Sequence, residues 1–323
     1  MTARQQEQKA DIIKKAVDLM RLRRMALSTE RTYVQWIGSY IDWLAKHGSS
    51  LQDSRARIEA YLTSIANRGC AASTQNQAFN ALLFLYQEVR REKLPEIRAL
   101  RAKQPRHHRK AISKAQTLAL LDAVPNVAGY PTHLVSRLLY GCGLRVSEPL
   151  NLRVKDVDVP RSRLMILGAK GGKDRVVPVP CSLMAEIVAQ LKKARVVWQA
   201  DQHRKMPVEV PGELARKYPK APFAWQWSWL FPSHQPCNHP RTGERVRYRM
   251  HEANVQRAVK LAARTLELDS FVTPHVLRHC CATHILEAGG NVRDLQEFLG
   301  HAHLETTQGY IHPEAMRVIS PLA

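Results

Sequence analysis

The chain has 323 residues, more than one hydrophobic core usually organises, so its length predicts two domains. A hydrophobic fraction of 45% allows packed cores and excludes a disordered chain. The formal charge is +21, from 49 Lys and Arg against 28 Asp and Glu, and such an excess repels itself unless a polyanion is bound. The charge therefore favours nucleic acid as partner. The rival, an anionic membrane surface, lacks a basic amphipathic stretch beside an anchor.

The six cysteines are scattered without a CxxC pair, so they predict neither a disulfide framework nor a zinc ribbon. His234, Cys237 and His239 come nearest to a metal cluster, but they lack a fourth ligand at a usual spacing. The N-terminus is too polar for a signal peptide and no apolar run reaches membrane-spanning length. We therefore expect a cytoplasmic, reduced protein.

Residues 10–100 carry apolar side chains three and four apart, which predicts about four helices. The run "RLRR" contributes Arg21, Arg23 and Arg24. These arginines fit a solvated face and a set of phosphate contacts equally well.

The stretch 101–113, "RAKQPRHHRKAIS", is basic and contains no acidic residue. We interpret 104–112 as an exposed linker that lies along DNA, with Arg106, Arg109 and Lys110 as candidate phosphate contacts. Ser113 is the predicted N-cap of the next helix, at which a second domain, 113–323, begins.

The second domain opens with helices, and "RLMILGAKGGKDRVVPVP" then predicts two short strands joined by a glycine-rich turn. A helix follows over about 182–200. Residues 201–250 are predicted to be irregular, and the chain after 251 to be helical again.

Several residues of this domain suit chemistry on an anion. In "TPHVLRH", Thr273 is the predicted N-cap, and His275 and Arg278 share one face at the positive end of the helix. Arg145 follows a Gly-Cys-Gly turn and precedes Glu148 by one helical turn. That pair is either a surface ion pair or an arginine that a carboxylate holds toward phosphate.

Three further residues have an ordinary structural interpretation beside a functional one. Lys170, in the turn "GAKGGKDR", is a solvated lysine or a mobile ammonium group. His301 directly follows Gly300 at the predicted end of a short helix. Tyr310, in "TTQGYIH", is a packed ring or a nucleophile.

The order Arg145, Lys170, His275, Arg278, His301, Tyr310, with the motifs "HVLRH", "LGH" and "TTQGYIH", resembles that of the tyrosine recombinases. The resemblance implies a mainly α fold with a small antiparallel β-sheet. An N-terminal helical core-binding domain, residues 1–103, would join an α+β catalytic domain, and the two would form a clamp around DNA.

The resemblance also implies roles. Two guanidinium groups would clamp the phosphate, Tyr310 would form a 3′-phosphotyrosine, and Lys170 would protonate the leaving 5′-oxygen, with Lys173 as a possible substitute. His275 and His301 would hydrogen-bond the phosphate or help to move the proton of the tyrosine. The phosphotyrosine conserves the bond energy, so neither a cofactor nor a metal is implied.

Residues 213–250 resemble the additional segment of the integron integrases, which recombine gene cassettes. This implies a duplex attachment site and a folded single-stranded cassette site as partners, with a dimer on each site and a homotetramer in the synapse. Trp225, Trp227 and Trp229 alternate, so on a strand they would share one face, for core packing or for base stacking.

One departure from that subgroup is clear. Where such integrases carry a His-His pair in an arginine-rich run, this chain has Arg247, Tyr248, Arg249 and Met250. Tyrosine and arginine can still stack on a base and bind a phosphate, so we keep Arg247, Tyr248 and Arg249 as candidate DNA contacts.

Three alternatives stay open. A Xer-like or phage-type recombinase would act on ordinary duplex sites, and a topoisomerase of the same chemistry would act as a monomer. A catalytically inactive DNA-binding protein is expected to lack a catalytic position, whereas all six are present here.

Overall fold

The computed structural model describes residues 2–47, 53–94, 111–168, 174–268 and 271–300. Contacts along the chain divide it into two compact units, Met1–His107 and His108–Ala323. Each unit has its own hydrophobic core.

The first unit is helical, as predicted. Its helices are α1 (Ala3–Leu22), α2 (Leu27–His47), α3 (Ser54–Asn67) and α4 (Ala72–Phe84), and a π-helical turn, Leu85–Val89, continues the last of them. The Thr2 side chain and Gln5 form a capping box at the start of α1. The Asp53 carboxylate accepts from the Ala56 N–H at the start of α3.

Three tyrosines pack in the core of this unit. The hydroxyls of Tyr40 and Tyr86 lie 2.7 Å apart in a hydrogen bond between two fully buried side chains. The ring of Tyr40 also meets that of Tyr61 edge to face at 5.1 Å. Burial raises the pKa of Tyr40, and the bond to Tyr86 adds to that effect, so the Tyr40 hydroxyl stays neutral.

The second unit combines helices with two small antiparallel sheets, which confirms the predicted fold class. Its helices are α5 (Lys114–Ala123), α6 (Thr132–Gly141), α7 (Ser147–Leu150), α8 (Cys181–His203), α9 (Gly212–Lys217), α10 (Glu252–Thr265), α11 (Pro274–Glu287) and α12 (Val292–Leu299). Its strands are β1 (Val157–Asp158), β2 (Arg163–Ile166), β3 (Arg175–Pro178), β4 (Cys237–Asn238) and β5 (Arg245–Val246).

Strands β1, β2 and β3 form one antiparallel sheet in chain order. Leu164 pairs with Val177 on the buried face, and Met165 pairs with Val176 on the exposed face. The β2–β3 hairpin matches the two predicted strands, whereas β1 was not predicted. Strands β4 and β5 pair within residues 201–250, which the sequence analysis expected to be irregular.

Helix α6 lies at the centre of the second unit and contacts α5, α8, α10 and α11. Its Leu138 and Leu139 are fully buried. The Ser113 side chain and Gln116 form a capping box at the start of α5, which confirms the predicted N-cap. Just before α5, the Ile112 carbonyl lies 3.0 Å from Nε2 of His284, so α11 contacts the segment that leads into α5.

Among the described residues, no helix combines the length and the apolar character that crossing a bilayer would require.

Candidate active site and nucleic-acid interface

The loop between α6 and α7 carries Arg145. Gly143 adopts the left-handed conformation there, with φ +58°. A Cβ atom at this position would lie 2.8 Å from both Leu299 Cδ2 and Phe298 Cε1. Glycine is therefore required twice, by the backbone conformation and by the close approach of α12.

The Glu148 carboxylate accepts hydrogen bonds from two arginines of this site. Its Oε1 accepts from Nη1 of Arg145 at 2.8 Å and from Nη1 of Arg175 at 3.0 Å. Its Oε2 accepts from the Arg145 backbone N–H at 2.8 Å and from Nη2 of Arg175 at 2.7 Å. Nη1 of Arg278 lies 3.7 Å from the same oxygen. We call Arg145, Glu148, Arg175 and Arg278 the Glu148 cluster.

The carboxylate is buried, so the surface ion pair is the wrong interpretation of Arg145 and Glu148. Burial alone would raise the pKa of Glu148, but the hydrogen bonds from Arg175 and Arg145 outweigh it and hold the pKa below its ordinary value. Glu148 is therefore ionised at neutral pH. One negative charge faces three arginines, which leaves the cluster with an excess of positive charge.

Arg278 joins three segments of the chain. Its Nη1 donates to the Gly143 carbonyl at 2.5 Å and its Nη2 to the Leu299 carbonyl at 2.8 Å. These bonds fix the plane of a guanidinium group that is only 5% exposed. Thr273 stands at the predicted N-cap position of α11 and Pro274 is the first residue of the helix, but the Thr273 side chain makes no cap hydrogen bond. His275 lies exposed in the first helical turn.

The C-terminal end of α12 meets the same cluster. Gly300 ends the helix in the left-handed conformation, with φ +66°, which confirms the predicted stop. Nε of Arg175 donates to the Phe298 carbonyl at 3.1 Å. A Cβ atom at Gly300 would lie 2.9 Å from Arg175 Cδ. Gly300, the last described residue, therefore lies beside the Glu148 cluster.

A cavity of about 160 Å³ borders Arg145 and Glu148. It is also lined by Met165 and Ile166 of β2 and by Leu167 and Gly168, which follow that strand. The Gly168 N–H donates to Oδ1 of Asp174 at 2.8 Å, which closes the base of the hairpin turn. The turn predicted to carry the general acid therefore begins at the wall of this cavity.

The structure thus brings Arg145, Glu148 and Arg278 together and places His275 on the helix of Arg278. The remaining predicted catalytic and supporting residues lie outside the described residues: Lys170, Lys173, His301 and Tyr310. The predicted linker contacts Arg106, Arg109 and Lys110 lie outside them too.

Arg175 is a site residue that the sequence analysis missed. It begins β3 directly after the glycine-rich turn, and its partners Glu148 and Phe298 stand 27 and 123 positions away in the chain. The signal in the sequence was an arginine at the start of a predicted strand, directly after a glycine-rich turn.

The basic run at the end of α1 is exposed, and two of its arginines have acidic partners. Nη2 of Arg21 lies 3.2 Å from Glu30, and Arg23 pairs with Glu88. Arg24 adopts a left-handed backbone, with φ +54°, just after the helix. The exposed side chains remain candidates for phosphate contact.

The tryptophans of residues 201–250 do not alternate on a strand, which corrects that expectation. Trp225–Trp227 forms a 3₁₀ turn, in which the Trp227 N–H bonds the Ala224 carbonyl and the Ser228 N–H bonds that of Trp225. These local bonds satisfy the backbone in place of a neighbouring strand. The two half-buried rings therefore have different surroundings.

Trp229 is a core residue, so its assignment to the DNA interface was wrong. It is 5% exposed, next to the buried Leu230 and Phe231. The guanidinium of Arg153 covers its ring at 3.7 Å from the centroid. Since the ring is buried and Arg153 covers one face, core packing is its role.

The other two rings keep cations beside them. Arg195 lies 4.8 Å from the centroid of Trp225, and Trp198 packs against that ring at 5.7 Å. Lys155 lies 4.8 Å from the centroid of Trp227. An aromatic surface flanked by cations suits a base and its phosphate.

Arg247 is also wrongly assigned as a DNA contact. It is 4% exposed and forms a bidentate ion pair with Asp201, at 2.7 Å from Nε and 2.5 Å from Nη2. Its Nη1 donates to the carbonyls of Ser233 and His234. Tyr248 and Arg249 are half-buried, with the guanidinium of Arg249 at 5.7 Å from the tyrosine ring, so both stay candidates.

Comparison with known proteins agrees with this geometry. Residues 110–317 match the model of the phage integrase family, and residues 12–96 match that of the phage integrase N-terminal SAM-like domain. An integrase/recombinase of Escherichia coli is 36% identical over 293 residues, which cover 89% of this chain and 85% of that protein. The tyrosine recombinase XerA of Thermococcus kodakarensis is 32% identical over 292 residues, covering 87% and 83%.

Among solved structures, the fold is similar to that of the XerH site-specific recombinase bound to difH substrate, with a TM-score of 0.62 at 19% identity over 95% of this chain and 82% of that one. It is also similar to the Tn1549 transposon integrase in complex with circular intermediate DNA, with a TM-score of 0.61 at 16% identity over 93% and 94%. The chain therefore belongs to the phage integrase family and is a site-specific tyrosine recombinase, an enzyme that cleaves and rejoins DNA through a tyrosine.

Proposed function

We propose that this recombinase is an integron integrase, which inserts and excises gene cassettes and acts on a folded single-stranded cassette site as well as a duplex attachment site. The observation that carries the proposal is the pair of half-buried rings, Trp225 and Trp227, with Arg195 and Lys155 beside them. Such rings can stack on a base that has left the helix, while the cations meet the adjacent phosphates.

The proposed chemistry begins with the phosphate. Its anionic oxygens repel a nucleophile, and Arg145 and Arg278 neutralise that charge as it grows in the transition state. Arg278 is rigid and buried, whereas the side chain of Arg145 is 22% exposed and can reach an incoming strand. The Glu148 carboxylate orients both guanidinium groups, so these side chains need little rearrangement when DNA binds.

Tyr310 then attacks phosphorus in line. A bond forms between the tyrosine oxygen and phosphorus, and the bond from phosphorus to the 5′-oxygen breaks. Lys170 supplies the proton to the leaving 5′-oxygen, with Lys173 as a possible substitute. His275 and His301 hydrogen-bond the phosphate or accept the proton of Tyr310. Reversal with a different 5′-hydroxyl rejoins the strands.

Both units would contact the DNA. We assign residues 1–103 to core binding through Arg21, Arg23 and Arg24, and the linker 104–112 to phosphates through Arg106, Arg109 and Lys110. In the catalytic domain, 113–323, the segment 201–250 contributes Trp225, Trp227, Tyr248 and Arg249. Two protomers would occupy each site and four would form the synapse, as strand exchange between two sites requires.

The alternative is a Xer-like or phage-type recombinase on duplex sites, which the identity with XerA favours. The test is strand cleavage by the full chain on a folded single-stranded cassette site and on duplexes of the cassette and attachment sites. We expect faster cleavage of the cassette site when it is a folded strand. Cleavage of duplexes alone would contradict the integron proposal, and tight binding without cleavage would indicate an inactive DNA-binding protein.

A further inference from the structure

We propose that Arg175 is a positioning residue for strand cleavage, which locks the end of α12 to Glu148 and so holds Arg145 and Arg278 in the alignment that the phosphate requires. The inference rests on the proposed roles of Arg145 and Arg278. Arg175 would act on them indirectly, through its hydrogen bonds to Glu148 and to the Phe298 carbonyl.

The geometry of Arg175 needs a guanidinium. The two terminal nitrogens bind the two oxygens of Glu148 at 3.0 and 2.7 Å, and Nε binds Phe298 at 3.1 Å. A lysine has one charged nitrogen and cannot make this planar fork and the third bond together. The side chain is 9% exposed, so these contacts are shielded from solvent.

The end of α12 is built to receive these donors. The last carbonyls of a helix have no partner within it and carry partial negative charge. Here Arg175 takes the Phe298 carbonyl and Arg278 takes the Leu299 carbonyl. Gly300 allows the contact, because a Cβ atom there would lie 2.9 Å from Arg175 Cδ.

The consequence is a mechanical link between β3, α7 and α12. Arg175 holds the last turn of α12 through the Phe298 carbonyl, and it holds the Glu148 carboxylate that also binds Arg145. A displacement of the phosphate-binding arginines by about 1 Å would be expected to lower the cleavage rate by about 10²-fold, because the catalytic groups lose alignment.

The test compares Arg175→Lys with Arg137→Lys, an arginine of similar kind that pairs with Glu186 between α6 and α8. We would measure cleavage of a nicked suicide substrate, DNA affinity and the unfolding midpoint. We expect Arg175→Lys to lose about 10²-fold in cleavage while its affinity and midpoint stay near those of Arg137→Lys. Equal cleavage by the two variants would overturn the inference.

Two further measurements separate positioning from other causes. If Arg175 acts through Glu148, Arg175→Lys should cost little when added to Glu148→Gln, and multiplicative losses would contradict this. On a methylphosphonate substrate, which lacks the charge that Arg145 balances, Arg145→Ala should recover activity while the deficit of Arg175→Lys persists. Recovery of Arg175→Lys as well would mean that Arg175 contacts the phosphate directly, which overturns the positioning role.

If Arg175→Lys does not fold, Arg175→Gln takes its place in the same comparison, since its amide retains a donor for one of the bonds. A wild-type chain that forms no covalent adduct through Tyr310 would refute the proposed function itself. A wild-type chain that forms the adduct, with Arg175 variants as active as the control, would refute this inference alone.

Discussion

Two parts of the second unit bury arginines, and they differ in how the charge is balanced. In the Glu148 cluster, one carboxylate faces Arg145, Arg175 and Arg278. Within the segment 201–250 and the turn it packs on, each buried arginine has an acid of its own: Arg247 pairs with Asp201 and Arg153 with Glu209.

Such a difference is expected between an anion-binding site and a structural ion pair. Arg153 and Arg247 give their remaining donors to backbone carbonyls, such as those of Trp227 and Ser233, so their charge is neutralised within the protein. The four residues of the Glu148 cluster carry three positive charges and one negative charge, an excess that favours an anion nearby. The number of arginines is therefore less informative than the number of carboxylates that reach them.

The largest expected effect concerns the arginine that reaches solvent in the Glu148 cluster. Arg145→Ala should reduce strand cleavage by about 10²–10³-fold or more, because a charge-stabilising donor is lost from the transition state. DNA affinity should largely survive, since many other cations contact the backbone. The matched control is Arg161→Ala, an exposed arginine paired with Asp158. Full cleavage activity in Arg145→Ala would remove the cluster from the active site.

The second effect concerns stability in the other region. Arg247→Ala leaves Asp201 as a buried charge without its guanidinium, so it should lower the free energy of unfolding by about 3–5 kcal/mol. Arg249→Ala, at the half-buried neighbour, should leave stability nearly unchanged and weaken DNA binding. Denaturant unfolding and binding titrations of both variants would decide. A stable Arg247→Ala with weakened DNA binding would return Arg247 to the interface.

A smaller effect is expected at the aromatic rings. Trp227→Ala should weaken binding of a folded single-stranded site by about 1–3 kcal/mol, the usual contribution of one stacked base. Binding of the same sequence as duplex should change less. Trp229→Ala serves as the comparison, since its buried ring predicts lost stability rather than lost selectivity. Equal loss on both DNA forms would assign Trp227 to packing.

The smallest effect is the pH dependence of folding. Because the pKa of Glu148 is lowered in the folded state, its ionised form stabilises the protein fully above the ordinary value of about 4.3. That contribution is lost as pH falls through the lowered pKa. Glu148→Gln should therefore show a flatter decline of unfolding free energy below about pH 4 than wild type. Identical acid profiles would contradict the ionised cluster.

Local signals in the sequence were sufficient for much of the fold. Ser113 and Thr273 mark helix starts, and Gly300 marks a helix end, because caps depend on residues within one turn. The hairpin of β2 and β3 was readable from its glycine-rich turn. Strand β1 was not, because two residues show no periodicity.

The candidate site was predictable only where a short motif carried it. Arg145, His275 and Arg278 stand in recognisable patterns, whereas Arg175 acquires its role from partners far away in the chain. The burial of Arg247 and Trp229 likewise depends on Asp201 and Arg153, which nothing local indicates. Long-range pairing, rather than residue type, is what the sequence alone did not reveal.

The most direct test of the account is covalent trapping of the full chain on a nicked suicide substrate, beside Tyr310→Phe. The account predicts an SDS-resistant protein–DNA adduct for wild type, joined at the 3′-phosphate through Tyr310, and none for Tyr310→Phe. An adduct that persists in Tyr310→Phe, or a wild-type adduct that maps to another residue, would contradict the assignment of the nucleophile.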